Sequence, residues 1–426
     1  MRRTAAVLLM LMVATSAFSQ TAVSDRAQRV TPAEQAMAAA NRLIEKSPRN
    51  FEAYNALALA LSRRARETSD VRFYNQAEET LKTSFEISPH NFDGARIHVW
   101  LLLGKHEFSA AREEALKLNK RTPDDVMVYG FLTDANVELG NYKDAESAAQ
   151  MMLDLRPGNT PGMTRGAYLR ELFGDVDGAL ELMNMALTST PPTEVEDAAW
   201  ITTQMAHLNL SVGRIAEAEK QLQQALQLFP GYHYALGNLA KVRIQQKRYS
   251  EAVELLRVRY IAAPHAENLY DLAEVLELAG QKAEAAAAFA EFEKKSLLET
   301  GIADNSNHEL ILYFADHARQ PGKALEVAQR EFSRRRDVFT LDCYAWALHA
   351  NRLDQEARRQ IDQALAVGIR NARLFRHAGE IALSQGDRAA AENFFRQAAG
   401  LNTLESEQAQ ATLAQISGNS AEPIQR

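Results

Sequence analysis

Disulfides, loop-forming residues and membrane-length apolar runs are all scarce in this 426-residue chain. A lone cysteine, Cys343, has no partner for an internal cross-link, which excludes a disulfide-stapled scaffold. The 12 prolines and 20 glycines make up roughly 3% and 5% of the residues, below the average usage of about 5% and 7%. That shortage disfavours collagen-like, low-complexity and loop-rich all-β architectures and leaves helix as the favoured bulk state. Cationic excess is missing too. The 48 basic residues are outnumbered by 55 acidic ones, for a formal charge of −7, and a nucleic-acid-binding face needs the opposite sign. Beyond the first twenty residues, no segment is long and apolar enough to span a bilayer.

The amino terminus reads as an address. Met1-Arg2-Arg3 precedes an apolar run from Ala5 to Val13, and Ala17-Phe18-Ser19 supplies a small-x-small exit before Gln20. These are the parts of a secretory signal, assigned to residues 1–19. The expected location is periplasmic or secreted, with an uncleaved N-terminal membrane anchor as the alternative. Residues 20–32 read as a linker.

The prolines that do occur are spaced regularly. Pro48, Pro89, Pro123, Pro157, Pro191, Pro230 and Pro264 are separated by 41, 34, 34, 34, 39 and 34 residues. Each follows an amphipathic stretch such as Asp154-Leu155-Arg156, and proline stops a helix. Seventeen residues before three of them stand Gly140, Gly174 and Gly213. Each begins a Gly-x-bulky-x-x-Ala pattern, as in Gly140-Asn141-Tyr142-Lys143-Asp144-Ala145. His106 to Ala111 and Lys247 to Ala252 are further copies without the glycine. A turn, a plug and a small residue for close helix approach describe a helical hairpin, and a hairpin this small must stack on neighbours to bury its apolar face.

This pattern resembles the tetratricopeptide repeat family, over about residues 33–403. The resemblance implies an all-α fold: an α-solenoid, a right-handed superhelix of about ten helical hairpins whose first helices line a concave groove. The main array is expected over 33–297, with full units at 51–89, 90–123, 124–157, 158–191, 196–230, 231–264 and 265–297. Seven extra residues fall between Ser62 and Gln76, and Pro191-Pro192 marks an insertion. The phase breaks across Ser296 to Ser306, so 298–304 reads as a joint. A divergent array follows over 305–403, where Arg336 and Thr403 replace prolines and Asn351 stands at the turn glycine. A capping helix at 404–416 and a disordered tail at 417–426 complete the chain.

Repeat positions facing the concave side give Trp100, Phe131, Asp134, Tyr168, Trp200, Gln204 and His207, then Tyr234, Asn238, Lys241, Tyr270, Asp271, Glu274, Glu309, Tyr313 and Asp316. Aromatics among amides and charges suit a peptide groove, where rings bury area and polar neighbours meet a ligand's backbone. Packing between adjacent helices is the competing role for each ring. Asn238 and Lys241 are similar to two positions of the carboxylate clamp of chaperone-binding family members, but the third unit's arginine is missing and Asp271 and Glu274 oppose a carboxylate.

Chemistry-bearing patterns are weak. Cys343 and His349 lie about 600° apart around one helix, on different faces. His308-Glu309 opens like a zinc-protease helix, but Leu312 holds the second histidine's place. His90, His98, His106 and His317 show no convergent metal spacing. The block from Asp342 to Leu348, with Arg376 to Gly379, resembles a C-terminal segment of other bacterial repeat proteins. Neither a cofactor nor a metal is expected. The reading is a non-catalytic scaffold binding a protein or peptide, not nucleic acid, with no membrane span after signal cleavage. The alternatives are an envelope-assembly component acting through its convex face or ends, and a hydrolase centred on His308, His377 or Cys343.

Overall fold

A computed structural model describes residues 30–302, 305–401 and 403–418. The expected signal segment, most of the linker, and the tail beyond residue 418 lie outside the described residues. Among those described there are 22 helices and no strand.

A single helix α1 (Pro32–Lys46) leads ten antiparallel hairpins. These are α2 (Phe51–Thr68) with α3 (Arg72–Ile87), α4 (Phe92–Gly104) with α5 (Phe108–Arg121), and α6 (Val126–Glu138) with α7 (Tyr142–Leu155). Next come α8 (Thr160–Leu172) with α9 (Val176–Ser189), α10 (Val195–Ser211) with α11 (Ile215–Leu228), and α12 (His233–Gln245) with α13 (Tyr249–Ala262). The last four are α14 (Ala266–Leu278) with α15 (Lys282–Glu299), α16 (Asn307–Leu312) with α17 (Pro321–Phe332), α18 (Val338–Ala350) with α19 (Asp354–Leu365), and α20 (Ala372–Ser384) with α21 (Arg388–Ala399). Helix α22 (Leu404–Gly418) packs on the final hairpin. The chain is an α-solenoid.

Two local devices repeat. The residue two beyond several of the spaced prolines caps the next first helix. Asn50, Asn91, Asp125 and Asn159 each accept a backbone N–H of the first turn, filling a donor that the helix leaves unpaired. Between the helices of a pair, one residue takes a left-handed φ. In every pair but the first it lies five positions before an alanine that is at most 1% exposed at the helix crossing. His106 and Lys247 adopt that conformation without being glycine, as do Arg319 and Arg352. The glycine-like position in the ninth hairpin is therefore Arg352, with φ 61°, while Asn351 keeps φ −94°.

The seven extra residues near 62–76 do not form a loop. They lengthen α2, which runs to Thr68 before Ser69 turns the chain at φ 53°. Beyond α15 the described residues around the phase break are tied down. The Ser296 and Ser306 hydroxyls bond at 2.8 Å, Asn305 and Asn307 side chains donate to Glu331, and Arg334 donates to the carbonyls of Gly301 and Ile302. Helix α16 continues into a π-helical turn at Tyr313–His317.

The superhelix is wound tightly enough for successive turns to touch. The Arg336 N–H donates to the Glu138 carbonyl at 2.8 Å, and the Val338 N–H to the Tyr142 hydroxyl at 2.9 Å. One core cluster joins Val137, Ala145, Leu169 and Leu172 to Val338, Leu341, Ile361 and Leu374. Earlier in the chain, the extended end of α2 places Arg66 against Glu196 and Asp197 at the start of α10.

Candidate partner-binding surface

Because turns touch, residues from two turns share a half-open inner wall. First helices α8, α10, α12 and α14 contribute one side of a half-open cavity of about 420 Å³, and the segment from Phe339 to Glu405 contributes the other. Of the central groove candidates Tyr168, Trp200, Gln204, His207, Tyr234, Asn238, Lys241, Tyr270, Asp271, Glu274 and Tyr313, four line this space: His207, Lys241, Asp271 and Glu274. The volume falls in the range of small-ligand pockets.

The remaining seven do not line it. Trp200 and Gln204 are half-buried on α10, with Trp200 packed between the clusters of its own hairpin and the preceding one. Tyr234 is half-buried against Tyr232 and His233, and its carbonyl accepts from the Asn238 side chain at 3.0 Å. Tyr168 packs on the core that joins the two turns. Tyr270 is only 4% exposed, with its ring among Phe289, Phe292 and His317. Tyr313 stacks on Phe289, and its hydroxyl donates to Glu293. Both rings are held in the core of the seventh and eighth hairpins. The packing role won there because second-helix phenylalanines on α15 fill the space beneath them.

Most charge in the cavity is already matched. Glu171 Oε1 meets His207 Nε2 at 2.9 Å, Asp271 pairs with Arg259, and Glu405 accepts from Arg376 Nε at 2.7 Å. Glu274 accepts from the Tyr270 hydroxyl at 2.9 Å and lies near His317. Lys241 is exposed to the cavity yet enclosed by protein, and burial pushes its ammonium below the usual lysine range. Arg259 and Arg373 push in the same direction, while Asp271 opposes them. On neighbouring α16, burial raises the Glu309 carboxyl to about 7, with repulsion from Glu267 and Asp271 adding to it.

Arg370, Asn371, Arg373, Phe339 and Glu405 line the cavity and escaped the concave-position reading. They reach it from one turn later. No repeat register contains that information, since it depends on the pitch of the superhelix.

The polar residues that invited chemical readings are structurally engaged. Cys343 is buried with a raised thiol pKa, chiefly from burial, and His349 Nδ1 pairs with Asp354 at 2.6 Å. His308 contacts the Thr340 hydroxyl at 2.9 Å and the Arg335 guanidinium, and burial lowers its pKa. His377 is buried with Nδ1 2.7 Å from Asp342, and Trp346 stacks on its ring at 4.0 Å. Burial lowers the imidazole pKa more than the carboxylate raises it. A neutral His377 therefore donates from Nδ1 to an ionised Asp342, and Arg376 donates to Nε2. Among the described residues no group of three His, Cys, Asp or Glu side chains could hold a metal ion, and no helix is long and apolar enough to cross a membrane.

No curated protein matches this chain. Among solved structures, it is similar to the APC/C hetero-tetramer Cut9-Hcn1, at 13% identity over 88% of this chain and 56% of that one, with TM-score 0.44. The human IFIT1 dimer with PPP-AAAA shares 12% identity over 87% of this chain and 95% of that one, with TM-score 0.48. PilW, described as a widely conserved type IV pilus biogenesis factor, shares 14% identity over 48% of this chain and 90% of that one, with TM-score 0.40. Likenesses of this size carry no argument about partners. Two tetratricopeptide repeat family models match residues 98–160 and 209–263, within the run of hairpins described above. Repeats of this kind make protein-interaction scaffolds, and the chain is a tetratricopeptide repeat protein.

Proposed function

We propose that the protein is an exported, non-catalytic scaffold that holds a protein or peptide partner on the inner wall of its superhelix. The observation carrying this reading is the half-open cavity, where His207, Lys241, Asp271 and Glu274 meet residues from the following turn. A space of about 420 Å³ accommodates a short segment or chain end of a partner rather than a whole helix. Half-buried Trp200 and Tyr234, about two helical turns before His207 and Lys241 on the same helices, supply flat apolar area on the inward stripe.

Affinity capture of the mature protein from its own cells tests the proposal. Trp200→Ala and Tyr234→Ala together should weaken capture by about 2 kcal/mol while the helical circular dichroism is kept. Undiminished capture by that double variant removes the inner wall from the account. Tyr270 and Tyr313 are unsuitable anchors for this test, because their loss opens the core. Export has its own check: N-terminal sequencing should find Gln20 first, and a retained Met1 refutes cleavage.

A second reading draws on Ile261 at 68% and Leu298 at 80% exposure, both near the ends of second helices. A component of an envelope assembly could use that outer edge. It predicts capture that is lost in Ile261→Ser with Leu298→Ser and indifferent to inner-wall variants.

A further inference from the structure

Lining the cavity are four carboxylates and four cationic or titratable bases, and the two sets are unequally committed. Glu171, Asp271, Glu274 and Glu405 are each engaged by a base or hydroxyl of the protein. Lys241 and Arg370 have no hydrogen bond or ion pair among the described residues. The Arg373 side chain gives Nε to Asp342 at 3.1 Å and shows no second side-chain bond among those residues. The positive end of α20 adds to this field, since Asn371, Ala372 and Arg373 line the cavity at its first turn. Lys241 and Arg370 thus remain as uncommitted cations on this wall, while Glu274, which accepts from a neutral hydroxyl, keeps its negative charge on the α14 side.

We propose that the cavity is an oxyanion site shared between two turns, in which Lys241 of α12 and the Arg370–Arg373 edge of α20 together take a carboxylate or phosphate group. The proposal rests on the reading of this cavity as the binding surface and adds the chemistry of what enters it. It differs from a clamp built on consecutive hairpins, because its arginines arrive from four hairpins later and only after the superhelix has closed. Glu171, Asp271 and Glu405 are already paired with His207, Arg259 and Arg376, so a ligand brings its negative charge to the α12–α20 side, away from Glu274. Apolar Leu210, Ile244 and Val275 on the same walls limit the water available to compete for the anion.

The test is calorimetric titration of the purified protein with inorganic phosphate, with succinate, and with a peptide blocked at both termini and lacking acidic side chains. Arg370 and Lys241 are exposed, so Lys241→Gln with Arg370→Gln should fold. Lys82→Gln, on α3 and paired to Glu79, is the control. Binding of phosphate or succinate should weaken about tenfold or more in the double variant and stay unchanged in the control. Phosphate binding alone assigns a phosphorylated source, and succinate binding alone a carboxylate source. Oxyanion affinity that the double variant leaves intact, or no oxyanion binding at all, overturns the proposal. If the blocked peptide still binds in either case, the scaffold reading survives while the oxyanion site does not.

Discussion

Gly174 turns its hairpin at φ 83°, and a Cβ there would stand 2.5 Å from the carbonyl oxygen of Gly368, one turn further along. Gly140 is placed in the same way against the carbonyl of Arg336, at 2.7 Å. Gly158 has a similar φ of 73° with open space around it. The three separate the cost of a left-handed backbone from the cost of turn-on-turn approach. Gly158→Ala should lose about 1 kcal/mol from backbone strain. Gly174→Ala should lose about 1–3 kcal/mol more, because a backbone carbonyl has to move. Urea midpoints of the two variants check this, and equal losses would show that the turns are not in contact in solution. A pH effect belongs at the same scale. Glu309 is raised to about 7, mainly by burial, so the folded state holds its proton where the unfolded state, with a pKa near 4.3, has lost it. Its contribution is therefore complete below about pH 4.3 and is lost as pH rises through about 7. Glu309→Gln should gain stability relative to the parent between pH 5 and pH 8, measured by denaturant midpoint. An unchanged gap means that the carboxyl ionises freely.

At the scale of elements, the crossing alanine and the turn are written into neighbouring residues and were legible, whereas the caps, equally local, came to light only in the structure. Asn159 illustrates the cap. Its Oδ1 accepts the Gly162 N–H at 2.7 Å, and its Nδ2 donates to the carbonyls of Met152 and Arg156, so one side chain ends α7 and starts α8. Asn159→Ala should cost about 1–2 kcal/mol by thermal denaturation. Ala218 is fully buried at the α10–α11 crossing, and Ala218→Leu should cost about 1–3 kcal/mol by overpacking. If that variant melts like the parent, the crossing lies elsewhere. The length of α2 was not legible, because an insertion between helices reads equally as loop or as extra helix until the far end finds a partner. Arg66 finds Glu196 and Asp197, and the helix persists to reach them. Tyr270 and Tyr313 escaped for a related reason. Their spacing places them on the inward stripe, but Phe289 and Phe292 of α15 take up the rings, and the π-helical turn at Tyr313–His317 shifts the register of α16.

For the molecule as a whole, the decisive contacts join residues that are distant in the chain, such as Tyr142 with Val338. An open array whose units touch only their neighbours unfolds broadly or in steps. Closure by the cluster that links Val137 and Leu172 to Val338 and Leu374 ties the third, fourth, ninth and tenth hairpins into one cooperative block. Scanning calorimetry should show one sharp transition for the parent. Gly140→Ala combined with Gly174→Ala should split or broaden it, and a broad parent endotherm would refute the block. The candidate cavity was half legible for the same reason. His207, Lys241, Asp271 and Glu274 follow from repeat positions, whereas Arg370 and Arg373 depend on how far the coil advances per turn.

Walls that meet also control access. With the Arg336–Glu138 and Gly174–Gly368 seams closed, a long strand cannot slip in at those two places, and a visitor has to reach the wall from the side that the cavity leaves open.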